Sequence, residues 1–442
     1  MTAPRQFYGW KLLAVLWLLM FASSLPMFSA SVINAYMAAA LHFDRTTLGF
    51  AFAVHQWVAG VPGLLVAFLI NRRGVRFTVT LGAFLMAIGA LLMATVVHSS
   101  WQVNIVFGFV IGLGVCTAGP IGAQTAAARW FVKRKALAIA LLLTGPSICG
   151  FVAPPLANRV IESFHGVWRS GWWLVAGICA AATVLAAVFV RETPADLGQL
   201  PDGGTVEPRA AAPSAAPSRS RVFRTAEPWT FAEVLRSPVL WLICLSSVGF
   251  VGGYFMFLAH GVVHLRDLGY SPAQAAFSIA VLSLAQLGGT LLAGALGDYI
   301  EPRLLMAVAL LLIGTGILLA LKASGPLGLY VYAVFLGVGA GGYSSPSMTL
   351  PANYFGVKSY ASVMGLLATI ATTLAAVATY SAGYIYDHFG SYSRFFIPVG
   401  GMCFVGFVIL LFVRPPRRKP AEPIPLAVAN RSSKVEIMDF KS

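Results

Sequence analysis

Hydrophobic positions along the chain form long uninterrupted runs separated by short polar segments. About 20 apolar residues cross a bilayer as a helix, and twelve runs of roughly this kind follow one another. Alternating segments of about ten residues, which indicate an outer-membrane barrel, do not occur. The sequence therefore predicts an all-α polytopic membrane protein. The predicted spans cover residues 11–35, 46–70, 77–97, 103–127, 136–157, 171–190, 239–261, 273–297, 304–321, 327–349, 361–383 and 394–413.

Composition excludes a large soluble domain. Of the 442 residues, 58% are hydrophobic and only 10% are charged, whereas soluble proteins carry about 25% charged residues. The five cysteines all fall within predicted spans and lack the spacing of zinc ligands. We expect them to be packing residues, and we expect neither a metal nor a cofactor.

The positive charge follows the predicted topology. With both termini in the cytoplasm, 24 of the 30 lysines and arginines lie in cytoplasmic segments, as the positive-inside rule requires. Membrane orientation thus explains the net charge of +15 without a nucleic-acid partner. We expect a multi-pass protein of the bacterial inner (plasma) membrane with both termini cytoplasmic, whose first span is retained rather than cleaved as a signal peptide.

Two polar segments divide the chain. Residues 191–237 are rich in Pro, Ala, Ser and Arg, which cannot bury enough apolar area to fold alone, and they are expected to form a cytoplasmic linker. Residues 414–442 form a basic tail, which we interpret as a topology anchor in preference to a partner site. The predicted domains are a six-helix half over 1–190 and a second six-helix half over 238–413.

The two halves repeat one another at a nearly constant offset. Gly112 and Gly114 in span four match Gly337 and Gly339 in span ten at an offset of 225 residues. The residues after spans two and eight match at an offset of 227, and the arginines before spans six and twelve match at 225. Two parallel repeats of six spans are the arrangement expected of a secondary transporter whose halves rock about a central site.

At the loops after spans two and eight, the sequence resembles the major facilitator superfamily. The family's loop signature, GxLxDRxGxR, is similar to GALGDYIEPR over residues 294–303 and, in degraded form, to AFLINRRGVR over residues 67–76. The resemblance implies the fold of that family, with a charged latch between the two halves on the cytoplasmic side. Asn71 replaces the acid in the first copy, so Asp298 is the stronger latch candidate. The implied gating residues are Asn71, Arg72, Arg76, Asp298 and Arg303.

Three further stretches resemble the bacterial monocarboxylate and oxalate/formate transporter-like branch. They are RWFVKRK over residues 129–135, HGVVHLRDLG over 260–269 and YDHFGSY over 386–392. The resemblance implies a mono- or dicarboxylic acid as the solute. Transporters of this branch often carry an arginine embedded in span eight, and this sequence has none there.

No carboxylate is expected at mid-membrane depth, because the acids fall in loops or at their edges. A charge buried in hydrocarbon is costly and normally marks an ion pathway, so an Asp or Glu proton relay has no residue here. His55 and His260 are the imidazoles within the spans, and either can exchange a proton near neutral pH. The alternative for each is a neutral histidine bonded to a neighbouring helix. His260 is also a candidate for solute contact.

The polar side chains within the spans are the candidates for the binding site. In the family, spans one, four, seven and ten line the cavity, which favours Asn34, Thr117, Tyr254 and Tyr343. Each of them can instead be a helix-packing polar group. Amides, hydroxyls and aromatic rings suit a neutral, aromatic or weakly acidic solute. The complete set of candidate solute contacts is Asn34, Gln56, Thr117, Gln124, Tyr254, His260, Gln286, Tyr343 and Ser344.

The function that these features favour is secondary active transport of a small organic acid by alternating access, with proton symport as one form of coupling. The alternatives are transport of a neutral or aromatic, vitamin-like solute and export of a hydrophobic compound. An enzyme would need clustered His, Asp or Cys at catalytic spacing, which the sequence lacks. We expect a monomer whose partners are the solute, the lipid bilayer and protons.

Overall fold

The computed structural model describes residues 7–131, 135–203, 222–225, 229–297, 299–323, 325–356 and 359–416. Within these ranges the chain is helical and contains no strand, which confirms the predicted all-α class. The α-helices are α1 Gly9–Leu41, α2 Arg45–Gly60, α3 Gly63–Thr95, α4 Ser100–Val103, α5 Gly112–Ala118, α6 Pro120–Trp130, α7 Lys135–Ser163, α8 Arg169–Phe189, α9 Phe231–Arg236, α10 Pro238–Asp267, α11 Pro272–Leu296, α12 Pro302–Leu321, α13 Gly325–Phe355, α14 Tyr360–Phe389 and α15 Ser393–Phe412.

Eleven helical stretches of the described chain are long and apolar enough to cross a membrane. The second crossing is divided. It consists of α2 and the part of α3 before Gly74, separated by Val61 and Pro62 because Pro62 supplies no backbone N–H to continue the hydrogen-bond ladder. At Gly74 the backbone takes φ 88°, which glycine adopts without steric cost, and the third crossing begins there.

The fourth crossing is also interrupted. A π-helical segment over Asn104–Ile111 joins α4 to α5, and α5 ends where α6 begins, at Gly119 and Pro120. The glycine at the end of α5 has non-helical angles, and the proline occupies the first position of α6, where its missing N–H costs nothing. Despite these breaks, Ser100–Trp130 remains one membrane-spanning stretch.

The first six crossings, Gly9–Phe189, are here called the N half, and the last six, Pro238–Phe412, the C half. Equivalent close contacts recur in the two. A Cβ on Gly114 would lie 2.9 Å from the Gly82 oxygen, and one on Gly339 would lie 2.8 Å from the Ala309 oxygen. Both glycines let two helices of one half approach closely.

The linker segment begins with two short 3₁₀ turns, Pro194–Leu197 and Pro201–Gly203. Its last described part packs on the C half, where the Thr225 N–H donates to the Asn353 oxygen at 2.8 Å and Trp229 stacks edge-on against Phe355. The rest of the linker, 204–221 and 226–228, and the tail from residue 417 lie outside the described residues. The domain boundaries remain predictions.

Successive crossings alternate in direction, so α1 begins and α15 ends on the same face, here called the terminal face. The opposite face is called the distal face. The halves meet mainly where α2 packs on α14, α7 on α11 and α1 on α10. Because α2 occupies the distal part of the second crossing, its packing on α14 joins the halves there, while α3 packs extensively within the N half alone.

Candidate functional site

A carboxylate of the C half caps a helix of the N half on the distal face. Asp387, near the end of α14, accepts hydrogen bonds from the Arg45 N–H at 3.1 Å, the Thr46 N–H at 2.6 Å and the Thr46 hydroxyl at 2.5 Å. These N–H groups belong to the first turn of α2, where no intrahelical acceptor exists. Asp44 satisfies the Thr47 N–H at 2.7 Å. The N-terminus of α2 is thus completed by the other half, and the helix dipole favours the negative charge there.

A second tie lies beside it. The Arg45 guanidinium contacts the Asp267 carboxylate at 3.0 and 3.3 Å and lies over the Tyr386 ring at 5.1 Å. Both charged side chains are partly exposed, 21% and 32%, so this pair alone is weak. Arg45, Thr46, Asp267 and Asp387 are together called the distal latch, because every bond among them that is described above joins the two halves.

Sequence reasoning placed these acids at the outer edge but did not assign them a gate. The available signal was Arg45, one of only six basic residues outside the predicted cytoplasmic segments. It lies at the predicted start of a helix on the outer side. Two of the four outer acids, Asp267 and Asp387, lie at the ends of other helices on that side.

Below the latch, α2 and α14 touch at backbone distance. A Cβ on Gly383 would lie 2.3 Å from the Arg45 oxygen, and one on Gly49 would lie 2.4 Å from the Thr379 oxygen. Deeper in the membrane, Gly60 lies against the Thr372 side chain. A side chain at Gly49 or Gly383 would separate the halves, because backbone atoms cannot move aside as a flexible side chain can.

His260 is fully buried at the junction of these elements. Its Nε2 lies 3.0 Å from the Thr379 oxygen, and its Nδ1 lies 3.2 Å from the Tyr392 hydroxyl. Because a carbonyl only accepts, Nε2 carries the proton, and Nδ1 accepts from the Tyr392 O–H. Burial raises the pKa of Tyr392, which keeps this donor protonated. His260 therefore links α10 to α14 and to the segment before α15, within 3.1 Å of the space over Gly49.

His55 lies in a different environment. Its Nδ1 is 3.0 Å from the Phe107 oxygen, and its ring stacks on Phe107 with centroids 4.6 Å apart. Both contacts lie within the N half, so the structure does not bring the two histidines together. A coupling role for either remains a prediction.

Three predicted solute contacts come together in the C half. The Tyr254 hydroxyl donates to the Gln286 side-chain oxygen at 2.8 Å, which joins α10 to α11. Tyr254 stacks on Phe250 at 5.8 Å between centroids, and Phe250 stacks on Tyr343 of α13 at 4.5 Å. Phe250 was missed because the sequence reasoning counted polar groups only. Its position one helical turn before Tyr254 was the signal that could have found it.

The other predicted contacts are dispersed. Asn34 is buried in α1, and its amide nitrogen has no hydrogen-bond partner among the described residues. Gln56 is buried on the face of α2 that also carries Gly49 and Gly60, seven and four residues away along the helix. Gln124 is half-buried on α6.

Two hydroxyls among the candidates are bonded within their own helices. The Thr117 hydroxyl donates to the Leu113 oxygen, and the Ser344 hydroxyl donates to the Gly341 oxygen at 2.8 Å. Donation to the preceding turn is the usual behaviour of such residues within membrane helices. Their oxygens still have lone pairs with which to accept from a solute.

The arginines of the loop signature contact backbone within their own halves. Arg76 donates to the Ala187 oxygen, with its Nε at 2.8 Å. Arg303 donates to the Leu411 oxygen at 2.8 Å and the Val413 oxygen at 2.7 Å. The two contacts are equivalent in the repeat, since each ties the start of the third crossing of a half to the end of its sixth.

The structure shows little of the remaining gating candidates, which are Asn71, Arg72 and Asp298. Asn71 and Arg72 are exposed, and the Arg72 guanidinium lies over the Phe68 ring at 6.0 Å. Asp298 lies outside the described residues. A latch at the terminal face remains a prediction.

Glu192 organises the first copy of the signature, although sequence reasoning gave it no role. Its carboxylate accepts from the Val75 N–H at 2.9 Å and the Arg76 N–H at 2.8 Å, and it pairs with Arg129 at 3.0 Å. These N–H groups begin the third crossing after the bend at Gly74. Glu192 therefore joins the third, fourth and sixth crossings at the terminal face.

Comparison with known proteins identifies the family to which this architecture belongs. The family model described as Major Facilitator Superfamily matches residues 16–264 and 261–440. Monocarboxylate transporter 13 of Bos taurus is 26% identical over 371 residues, which cover 80% of this chain and 79% of that protein. The glycerol-3-phosphate transporter of Bacillus subtilis (strain 168) is 26% identical over 265 residues, 58% of this chain and 57% of that protein.

Solved structures share the fold. The nucleoside transporter NupG superposes with a TM-score of 0.71 at 11% identity, covering 91% of this chain and 99% of that one. A bacterial homologue of the human lysosomal transporter Spinster, inward-facing and occupied, gives 0.69 at 16% identity and covers 95% and 100%. At these identities the likeness concerns the fold alone.

Proposed function

Because the chain belongs to the Major Facilitator Superfamily, and is a multi-pass membrane transporter and not an enzyme, we propose that it moves a small mono- or dicarboxylic acid by alternating access. The observation that carries the mechanism is the distal latch. The latch ties the two halves on the distal face, whereas on the terminal face α3 does not pack extensively on the C half. This arrangement suits entry of a solute from the terminal side. The names of the monocarboxylate relatives support the substrate class.

The polar groups described above supply the contacts for an acid. Asn34 offers an unpaired amide donor, and the Tyr254–Gln286 pair offers a hydroxyl and an amide that a solute can share or displace. Buried polar groups without partners are costly, so a solute that accepts a hydrogen bond from Asn34 recovers that cost. Apolar walls with a few placed polar groups are the usual composition of small-molecule sites.

A neutral aromatic solute is the second candidate, and one observation favours it. Phe250 and Tyr343 stack at 4.5 Å, beside Tyr254, and form an aromatic surface on the C half. A flat ring stacks on such a surface without any countercharge. The two candidates differ in one requirement: binding of an organic acid depends on its carboxyl group, whereas binding of a neutral aromatic solute does not.

We propose His260 as the proton carrier if transport is proton-coupled. A second proton would have to bind Nδ1, which accepts the Tyr392 hydrogen bond in this state. Protonation therefore requires Tyr392 to turn its O–H away, so proton uptake is linked to rearrangement at the distal junction. The hydrogen bonds of each histidine stay within one half, but His260 also lies against Gly49 of α2 in the other half.

We further propose residence of a monomer in the bacterial inner membrane with both termini in the cytoplasm. The excess of lysine and arginine on the predicted cytoplasmic side supports this orientation. In that orientation the distal face, where the latch ties the halves, is periplasmic, and the terminal face is cytoplasmic.

Counterflow in proteoliposomes tests the solute class. We would preload matched pairs that differ only in charge, propionate with propionamide and benzoate with benzamide, and follow entry of the labelled compound. Exchange of the acids alone supports the proposal, and preference for benzamide supports the aromatic candidate. A pH gradient should drive acid uptake in the wild type and in His55→Gln but not in His260→Gln, whose counterflow should persist. Gradient-independent uptake in the wild type would contradict proton symport.

A further inference from the structure

A cavity of about 400 Å³ opens between α1 and α10 at the distal face. Its volume is within the range of roughly 300 to 1,000 Å³ that small-molecule sites occupy. Alanines of α1 with Phe43 and Val263 supply its apolar lining, and three charged side chains, which belong to the distal latch or adjoin it, supply its polar lining. The lining residues are Ala35, Ala38, Ala39, Phe43, Arg45, Val263, Arg266 and Asp267.

The charged lining carries one more positive than negative group. Arg45 is paired with Asp267. Arg266 lies over the Tyr36 ring at 5.1 Å, and in the described part of the chain it forms no ion pair with a carboxylate. An arginine fork that is half-buried beside an apolar cavity and lacks an anionic partner is well suited to bind a carboxylate in bidentate geometry.

We propose that this cavity is a distal binding site for the carboxylate of a small organic acid, held by Arg266 and Arg45 with its hydrocarbon part against the alanines of α1. The inference rests on the proposed function, because it takes the organic acid as the transported class. It goes beyond that function by placing a site at the distal entrance, away from the aromatic cluster of the C half.

Binding here acts on the latch. Both Asp267 oxygens contact one nitrogen of the Arg45 guanidinium, Nη2, so a carboxylate that takes this nitrogen competes with Asp267. The Arg45–Asp267 pair is partly exposed and therefore weak, so exchanging one carboxylate for another costs little. A bound acid thus replaces the direct Arg45–Asp267 tie with one that runs through its carboxylate from Arg45 of the N half to Arg266 of the C half, and it leaves the Asp387 bonds in place.

A further polar group lies deeper along α1. Ala38 lines the cavity, and Asn34 lies one helical turn deeper on the same face of this helix. The unpaired amide nitrogen of Asn34 is the next hydrogen-bond donor that an entering carboxylate would meet along this face. The site is therefore placed to receive solute from the distal side before it reaches the membrane centre.

Titration calorimetry of the full chain in nanodiscs of zwitterionic lipid tests the site, with propionate as the probe and propionamide as its uncharged match. We expect Arg266→Ala to weaken propionate binding about tenfold, the loss of one charge-assisted interaction, and Arg266→Lys to retain most of it. Arg394→Ala is the matched control, since its guanidinium lies over Phe389 and does not line the cavity.

The decisive variant is Asp267→Asn, because it removes the competitor. The proposal requires propionate to bind Asp267→Asn more tightly than the wild type, whereas a purely structural pair would leave affinity unchanged or lower. Unchanged affinity in both Arg266→Ala and Asp267→Asn would overturn the inference while leaving the proposed function intact. Absence of both propionate binding and propionate counterflow in the wild type would overturn the proposed function as well. Loss of propionate affinity on adding anionic lipid would assign the cavity to lipid headgroups instead.

Discussion

Replacing Asp387 should release the distal latch. In the structure its carboxylate accepts three hydrogen bonds from the first turn of α2, two of them from N–H groups without another acceptor. Loss of a helix cap costs about 0.5–2 kcal/mol, and the charge near a helix N-terminus contributes up to about 2 kcal/mol when partly buried. Because Asp387 is exposed, we expect about 1–2 kcal/mol for Asp387→Ala and less for Asp387→Asn, which keeps one acceptor oxygen.

An energy of this size changes the ratio of distal-closed to distal-open states about 5- to 30-fold. Double electron–electron resonance (DEER) spectroscopy between spin labels on the two halves can measure that ratio. Phe164 in the N half and Leu327 in the C half both lie at the distal face and are 60% and 79% exposed, so labels there disturb little packing. The native cysteines are buried. We expect a longer distance component to grow in Asp387→Ala.

A matched control separates latch release from a general loss of charge. Glu162→Ala removes an acid of the same face that takes no part in the latch, and its distance distribution should match the wild type. The reasoning is refuted if Asp387→Ala and Glu162→Ala give the same distribution as the unmutated chain while both remain folded. In that event the α2–α14 packing alone would hold the distal face closed.

Three other changes test the contacts around the site. Gly383→Ala should favour the distal-open state, because its Cβ would lie 2.3 Å from a backbone oxygen and such overpacking costs about 1–3 kcal/mol. Gly365→Ala on the same helix is the control. Its Cβ meets nothing within 4 Å, so the label distances should not change. Tyr254→Phe should raise the counterflow KM severalfold, because it removes the hydroxyl that we propose to bond the solute, an interaction of about 1 kcal/mol; an unchanged KM would exclude this pair from the solute site. Glu192→Ala should lower the melting temperature with little change in KM, since it deletes a cap and an ion pair remote from the solute; an unaltered melting curve would show that these contacts contribute no stability.

Much of the architecture could be predicted because it depends on local properties. The length of each apolar run determines whether a helix spans the bilayer, and the constant offset between matching residues identifies the duplication. The break at Gly119 and Pro120 follows from the residues themselves. The second and fourth crossings depart from the predicted continuous spans, because Pro62 divides the second into two helices and Gly119 and Pro120 interrupt the fourth.

The distal latch could not be read from the chain, because its partners are 222 and 342 residues apart. Sequence placed each of them at an outer helix end but could not say which ends meet, since that depends on how the halves are tilted in one conformational state. The same limit applies to the histidines. Both are buried in spans and each forms its hydrogen bonds within one half, yet His260 also lies against Gly49 of the other half.

By itself, the sequence determined the class of protein, the number of crossings and the repeat, because these follow from apolar length and local chain geometry. The tertiary structure decided on which face the distal latch ties the halves and which polar groups are already paired. Among the described residues, it leaves the Asn34 amide nitrogen without a hydrogen-bond partner and Arg266 without a carboxylate partner. Those properties arise from contacts between distant segments, whose geometry changes as the two halves move.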